Sequence, residues 1–249
     1  MKRPLVGIKT TNIFYDEKDK VNCNVLEITT KDPNLRFNIK KILKAKKHLK
    51  GKKLSMHTQT SRIFSCKDFK VPEFNEAELN IVKAEVILCK ILGVKELILH
   101  LKQEKLTKKE KEIFRSLLKF AKKNSVEIIY ESNGNFFADT CLDVLKSFPE
   151  LDYNLDLGHL NTAIENKTLG MDLERFIEQV KDKIVYIHAH NNYGEDDHNA
   201  LDHGSLNWKR VLDLIDLNRV RKIIIECHRA ISIKRSKKML EKYLEKKLK

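Results

Sequence analysis

Residues 107–132, TKKEKEIFRSLLKFAKKNSVEIIYES, contain one complete unit of the predicted fold. Thr107 stands three residues before Glu110, which is the spacing of a capping box at the start of a helix. Apolar residues then recur at helical spacing, and a short apolar run ends on Glu131. A helix that leads into a continuously apolar strand is typical of a parallel sheet covered by helices.

The same alternation continues through the chain. Short apolar runs that predict strands lie at 5–9, 24–30, 53–59, 96–102, 126–132, 151–157, 183–190 and 222–228. Helical patterns lie at 74–93, 107–124, 171–182, 207–217 and from about residue 232 onward. Residues 11–23 have no helical pattern, so the first crossover helix is predicted to be reduced to a loop or one turn. This alternation predicts an α/β fold of the (β/α)8 TIM-barrel type, with residues 1–249 as a single domain.

The composition excludes several classes of protein. No apolar run reaches the ~18 residues that a membrane-spanning helix needs, and the start, MKRPLVGIKT, lacks the apolar segment of a secretory signal. The five cysteines are scattered and form no CxxC pair, which argues against a disulfide framework and a four-cysteine zinc module. We therefore expect a cytoplasmic protein with no membrane partner.

The formal net charge of +14 favours polyanionic partners. Much of the excess, however, lies in lysine-rich runs such as 40–53 and 234–249. Such runs are typical of the solvated faces of helices. The charge alone is therefore a weak indicator of nucleic-acid binding.

Histidines and carboxylates cluster where the predicted strands end. They are His57, His100, Glu131, Asp156, His159, His188, His190 and Glu226, joined by Asp196 and His198 in the loop after the seventh strand. A barrel brings the C-terminal ends of its strands together on one face, where active sites of this fold lie. Burying several carboxylates together is costly unless cations compensate. Imidazole and carboxylate together suit zinc, manganese or iron, so the pattern predicts a metal centre.

The motifs also resemble a known family. LDLGH (155–159) is similar to the Asp-x-x-His motif of the endonuclease IV family of apurinic/apyrimidinic endonucleases, whose barrel is of the xylose-isomerase-like type. DDHNALDHG (196–204) resembles the Asp-x-His and glycine turn of that family, and IIIECH (223–228) resembles its last strand.

The resemblance implies a ligand set for three zinc ions, with manganese or iron possible at some positions. One ion would be bound by His57, His100 and Glu131. A second would share Glu131 and bind Asp156, His188 and Glu226, and a third would bind His159, Asp196 and His198. The implied activity is hydrolysis of the phosphodiester 5′ to abasic sites during DNA repair, with Glu131 and Glu226 as catalytic residues.

The resemblance further implies a monomer that binds double-stranded DNA. TTKDPNLR (29–36) is similar to a DNA-contacting loop of the family, which makes Lys31, Asn34 and Arg36 candidate contacts. Thr60 stands where the family has an aromatic wedge, and Arg62 and Phe64, which follow it, could substitute for that wedge. This departure changes the DNA-binding part and leaves the ligands intact.

Two alternatives remain open at this point. A sugar or sugar-phosphate isomerase or epimerase needs one divalent metal, held by Glu131, Asp156, His188 and Glu226, with two carboxylates acting as acid and base. Such an enzyme does not require His57, His100 or the pair Asp196 and His198 as ligands, and this distinguishes the two activities. A protein that retains metal without catalysis is the third possibility.

Overall fold

Eight parallel strands close into a barrel, as the alternation of strand and helix predicted. The computed structural model describes residues 3–10, 23–29, 38–58 and 76–248. Each strand pairs with the next, and β8 pairs with β1. The strands are β1 (Leu5–Thr10), β2 (Val25–Ile28), β3 (Lys53–His57), β4 (Glu96–His100), β5 (Glu127–Glu131), β6 (Asp152–Asp156), β7 (Ile184–Ala189) and β8 (Lys222–Ile225).

Helices surround the barrel. They are α1 (Ile39–His48), α2 (Glu76–Leu92), α3 (Lys108–Lys123), α4 (Ala138–Ser147), α5 (Leu157–Glu165), α6 (Leu173–Val180), α7 (Trp208–Asp213) and α8 (Ala230–Lys247). The predicted capping box is confirmed, because the Thr107 hydroxyl accepts from Glu110 N and the Glu110 carboxylate accepts from Thr107 N. The predicted reduction of the first crossover concerns residues 11–23, and all of these except Cys23 lie outside the described residues, so it stays a prediction.

The core lies between the barrel and the helices. Helix α3 buries Phe114, Leu117 and Ala121, and Phe114 meets the ring of Phe148 edge-on with 4.9 Å between ring centroids. Every residue of β7 is buried. Each large apolar side chain that is fully buried in this way stabilises the fold by roughly 1.5–3 kcal/mol relative to leaving it exposed.

Ion pairs join the strands at the N-terminal end of the barrel. The Arg221 guanidinium donates to both carboxylate oxygens of Glu127, at 2.6 and 2.8 Å, and to Asp152 at 2.9 Å. Lys222 donates to Glu96 nearby. These pairs connect β4, β5, β6 and β8 at the end opposite the strand ends that carry the predicted ligands.

The C-terminal end of β6 runs directly into α5. Asp156 is the last residue of the strand and the N-cap of the helix, and its carboxylate accepts from His159 N at 2.7 Å. This short connection fixes two of the predicted ligands relative to each other. Among the described helices, none combines the length and the apolar character needed to cross a membrane.

Candidate metal centre

Six of the predicted ligands lie together at the C-terminal end of the barrel because each stands at or next to the end of a strand. They are His57 on β3, His100 on β4, Glu131 on β5, Asp156 on β6, His188 on β7, and Glu226 directly after β8. Glu131 and Asp156 are 1% and 2% exposed, and His188 is fully buried. Ionisable groups this deep need partners of opposite charge.

Four of these residues converge on one point, and we call Glu131, Asp156, His188 and Glu226 the central cluster. His188 Nδ1 lies 3.1 Å from Glu131 Oε2, 3.0 Å from Glu226 Oε2 and 3.5 Å from Asp156 Oδ2. Within the described part of the chain, neither His188 Nδ1 nor Glu226 Oε2 has a hydrogen-bond partner, although both are buried. The cluster therefore directs toward a common centre atoms that are able to bind a metal and are not engaged in hydrogen bonds.

The charges of the central cluster fit a cation at that centre. Burial opposes protonation of His188, but the carboxylates of Glu131, Glu27 and Glu226 outweigh it and hold the pKa of His188 well above its usual range. Burial alone would raise the pKa of Glu131, yet His188 holds it well below its usual range. Positive charge is thus favoured here, and three carboxylates with one imidazole suit a divalent metal ion.

A second group of possible metal ligands, His57 and His100, also adjoins Glu131. His57 Nε2 is 3.4 Å from Glu131 Oε2, and His100 Nε2 is 3.4 Å from Glu131 Oε1. His57 Nδ1 lies 2.8 Å from the Thr58 carbonyl, which can only accept, so Nδ1 carries the proton and Nε2 faces the carboxylate. Burial lowers the pKa of His100 to about 3, which keeps that imidazole neutral and able to bind a metal.

The third predicted group is also brought together. Asp196 Oδ2 lies 3.7 Å from His159 Nε2 and 3.4 Å from His198 Nε2. Nδ1 of each imidazole is 2.8 Å from a backbone carbonyl, that of Ser132 for His159 and that of Glu226 for His198, so both present Nε2 to Asp196. The Asp196 side chain is 45% exposed, which makes this the outermost part of the site.

The structure adds His190 to this outer group. Its Nε2 lies 3.0 Å from Asp156 Oδ1, and its ring stacks on His198 with 4.2 Å between centroids. Ligand atoms of His190, Asp196 and His198 lie within 4.8 Å of one another. The ligand atoms of His159 lie equally close to those of Glu131 and Asp156. The predicted division of ligands among three ions is therefore not the only one that the geometry allows.

Two charged residues of the site were missed by the sequence reasoning. Glu27 on β2 accepts from His188 Nε2 at 3.1 Å, and Lys9 on β1 donates to Glu226 Oε1 at 2.5 Å. Lys9 Nζ is also 3.8 Å from Glu27 Oε1. A charged residue inside the otherwise apolar strand VLEI (25–28) was the available signal for Glu27, since a strand buried on both faces rarely carries one.

The predicted DNA contacts Lys31, Asn34, Arg36 and Arg62 lie outside the described residues, as does Thr60. The described part of the chain therefore does not test them, and they remain predictions.

Comparison with known proteins places the chain in a family. A family model for the xylose isomerase-like TIM barrel matches residues 20–244 of the chain. The chain belongs to this family. The predicted resemblance to the xylose-isomerase-like barrel family is therefore confirmed. The more specific resemblance to endonuclease IV is not supported by the solved structures described next.

Several solved structures share the fold across almost their whole length. A D-tagatose 3-epimerase-like protein has a TM-score of 0.76 at 18% identity, covering 97% of each chain. A xylose isomerase domain protein from Planctomyces limnophilus has a TM-score of 0.73 at 15% identity, covering 98% of this chain and 95% of that one. An L-ribulose 3-epimerase has a TM-score of 0.72 at 13% identity, with coverage of 98% and 95%. No curated protein sequence matches the chain.

Proposed function

We propose that the protein is a divalent-metal-dependent isomerase or epimerase that acts on a sugar or sugar phosphate. The observation that carries the proposal is the central cluster, in which three carboxylates and one imidazole from β5, β6, β7 and the end of β8 converge within 3.0–3.5 Å of His188 Nδ1. Only these four residues are required as ligands. Two of the solved relatives are described as an L-ribulose 3-epimerase and a D-tagatose 3-epimerase-like protein, which supports the substrate class.

The chemistry follows from two glutamates that reach the centre from β5 and from the end of β8. A divalent ion held by the central cluster would polarise a carbonyl oxygen of the substrate. One glutamate, as the carboxylate, would remove the proton from the carbon next to the carbonyl and later release it to water, and the other, after taking a proton from water, would deliver it at the product position. Burial disfavours ionisation of Glu226, but Lys9 and His188 hold its pKa well below its usual range, so it is ionised and able to accept a proton.

Neighbouring residues orient the two glutamates. Asn154 donates to Glu131 Oε2 at 2.6 Å, and the Lys9 ammonium donates to Glu226 Oε1. Burial disfavours the charged form of Lys9, but Glu226 and Glu27 outweigh it and raise its pKa. Lys9 therefore remains a cation that offsets the carboxylates and would stabilise negative charge on the substrate oxygen.

The test is deuterium incorporation. Protein loaded with Mn²⁺, Co²⁺ or Zn²⁺ is incubated in D2O with ketopentoses, ketohexoses and their phosphates, and exchange is followed by proton NMR. We expect metal-dependent exchange at the carbon next to the carbonyl with at least one sugar. Glu131→Gln and Glu226→Gln should each reduce the rate by about 10²–10⁴-fold. Metal-loaded protein that exchanges no proton on any of these sugars would contradict the proposal.

A second candidate is the hydrolysis of phosphodiesters in abasic DNA with three zinc ions. The observation in its favour is the set of histidines that surrounds the central cluster. His57, His159 and His198 each donate Nδ1–H to a backbone carbonyl and turn Nε2 toward a carboxylate, which an isomerase with one ion does not need. The cytoplasmic location, the monomeric state and the single domain stay predictions.

Metal stoichiometry and incision of a duplex with one abasic site separate the two activities. A single bound ion with exchange on a sugar favours the isomerase. Three bound ions with incision 5′ to the abasic site, lost in Glu131→Gln, favour the phosphodiesterase.

A further inference from the structure

We infer that Glu27 and Lys9 are positioning residues, which hold His188 and Glu226 so that each presents one unshared donor atom to the metal ion. The inference rests on metal binding by the central cluster, as the proposed function does, but not on which reaction follows. Both residues are absent from the predicted ligand set, and both belong to the strands β1 and β2, whereas the central cluster comes from β5–β8.

Lys9 and Glu27 lie on neighbouring strands of the sheet. Lys9 and Glu27 are partners in the parallel register of β1 and β2. The Glu27 side chain is fully buried, and that of Lys9 is 13% exposed. A buried carboxylate and a buried ammonium both carry a large desolvation cost, so the structure must compensate each of them. Each finds its partners at the metal centre.

Glu27 determines which nitrogen of His188 carries the proton. Its Oε2 lies 3.1 Å from His188 Nε2 in hydrogen-bond geometry, and an ionised carboxylate can only accept. Nε2 must therefore donate, and a neutral imidazole then has its lone pair on Nδ1. Nδ1 is the atom that faces the three carboxylates of the central cluster. A carboxylate behind a ligating histidine fixes the tautomer and the ring orientation and makes the imidazole a better ligand.

Lys9 makes the corresponding contact for Glu226. Its ammonium lies 2.5 Å from Glu226 Oε1. The other oxygen, Oε2, is buried, has no hydrogen-bond partner among the described residues, and lies 3.0 Å from His188 Nδ1. Lys9 thus occupies one oxygen and leaves the other for the ion. It also offsets part of the negative charge of the site.

The experiment measures zinc affinity in the full chain, by competition with a chromophoric chelator. Glu27→Met removes the acceptor at similar size, Glu27→Gln keeps a carbonyl that accepts from Nε2–H, and Lys9→Met removes the ammonium. We expect Glu27→Met and Lys9→Met each to weaken the affinity of the tightest site by about 10–100-fold, and Glu27→Gln to weaken it less than Glu27→Met.

Glu96→Met is the matched control. Glu96 is also a buried glutamate paired with a lysine, Lys222, but it lies at the opposite end of the barrel. This variant should lower the melting temperature and leave zinc affinity unchanged. Equal losses of affinity in Glu96→Met and Glu27→Met would mean that any damage to the barrel weakens the site, which would overturn the inference.

The second readout is the protonation of His188 in zinc-loaded protein labelled with ¹⁵N-histidine, with His188→Gln to assign the signal. We expect zinc on Nδ1 and a proton on Nε2 in the wild type and in Glu27→Gln, so the test stands even if Glu27→Met does not fold. Zinc on Nε2 of His188, or wild-type affinity in Glu27→Met, would overturn the inference. Neither readout needs turnover, so a protein that shows both expected results without sugar exchange would refute only the proposed function.

Discussion

At the scale of the residue, metal binding depends on which ring nitrogen of each histidine is hydrogen-bonded to a neighbour and which one remains available to bind an ion. Three imidazoles have Nδ1 bonded to a backbone carbonyl, and His188 has Nε2 bonded to a carboxylate. The sequence predicted the identities of these histidines because they stand at strand ends or in the segments that follow them. It could not predict the carbonyl partners, since those depend on how the backbone leaves each strand. Glu27 and Lys9 were missed for a related reason, because a strand register decides whether a charged side chain points into the barrel.

Metal binding should be strongly dependent on pH. Burial opposes protonation of His159 and His198, but nearby carboxylates, chiefly Asp156 for His159 and Asp196 for His198, outweigh it and raise the pKa values to about 10 and about 9. An incoming ion must then displace protons at neutral pH, so affinity should rise as the pH rises from 6 to 8. Calorimetry in buffers of different ionisation enthalpy measures the protons released. Affinity that does not change over this range would contradict the assignment of these histidines as ligands.

The same raised pKa values make the metal-free protein less stable in alkali. A histidine with a raised pKa binds more protons in the folded state than in the unfolded state. Its contribution to the free energy of unfolding is complete below its unfolded pKa of ~6.5 and is lost as the pH rises through the folded values of about 9 and about 10. Urea denaturation of chelator-treated protein should therefore show a falling midpoint between pH 7 and pH 9. His159→Gln should flatten that slope, and an unchanged slope would argue against the raised pKa.

At the scale of the element, the junction of β6 and α5 is the part that periodicity could not find. Seven of the nine residues of α5 are buried, and polar residues are among them, so the helix lacks the exposed polar face that marks a surface helix in the sequence. It also begins without a linker, immediately after Asp156. In contrast, α3 was predicted closely because it has a capping box and an amphipathic pattern. Helix α3, which covers the barrel, is therefore recognisable from its sequence pattern, whereas the buried helix α5 is not.

Gly158 at this junction should tolerate no side chain. A Cβ there would lie 1.9 Å from Cε1 of His190, so Gly158→Ala would push His190 away from Asp156. We expect a loss of roughly 1–3 kcal/mol in the free energy of unfolding, as for other overpacked sites, together with weaker metal binding. Gly134→Ala is the control, since its Cβ would lie 3.6 Å from His159, an ordinary contact. Similar stability of the two variants in thermal denaturation would contradict this view.

At the scale of the whole molecule, the barrel separates stability from chemistry. The regular alternation of strand and helix was enough to predict the closed barrel. Gathering of the strand-end residues then followed from the fold, because parallel strands place all their C-terminal ends on one face. The reaction was not predictable in the same way. The ligands of a sugar isomerase are contained within the larger ligand set implied by the endonuclease IV resemblance, so the motifs alone do not separate the two.

The ion pairs at the N-terminal end should affect stability alone. Arg221→Met would leave the neighbouring carboxylates of Glu127 and Asp152 without their shared cation. Because the groups are partly exposed, we expect a modest loss, roughly 1–2 kcal/mol in the free energy of unfolding. Zinc affinity should stay within about twofold of the wild type, a factor that corresponds to ~0.4 kcal/mol. A large loss of affinity would show that the two ends of the barrel are coupled.

The most direct test of metal binding by the central cluster is anomalous diffraction from crystals of the metal-loaded protein, measured on both sides of the absorption edge of the metal. We predict a strong anomalous peak bounded by Glu131, Asp156, His188 and Glu226, with Nδ1 as the ligating atom of His188. A loaded crystal with no peak at that position, or with peaks only elsewhere on the surface, would contradict it.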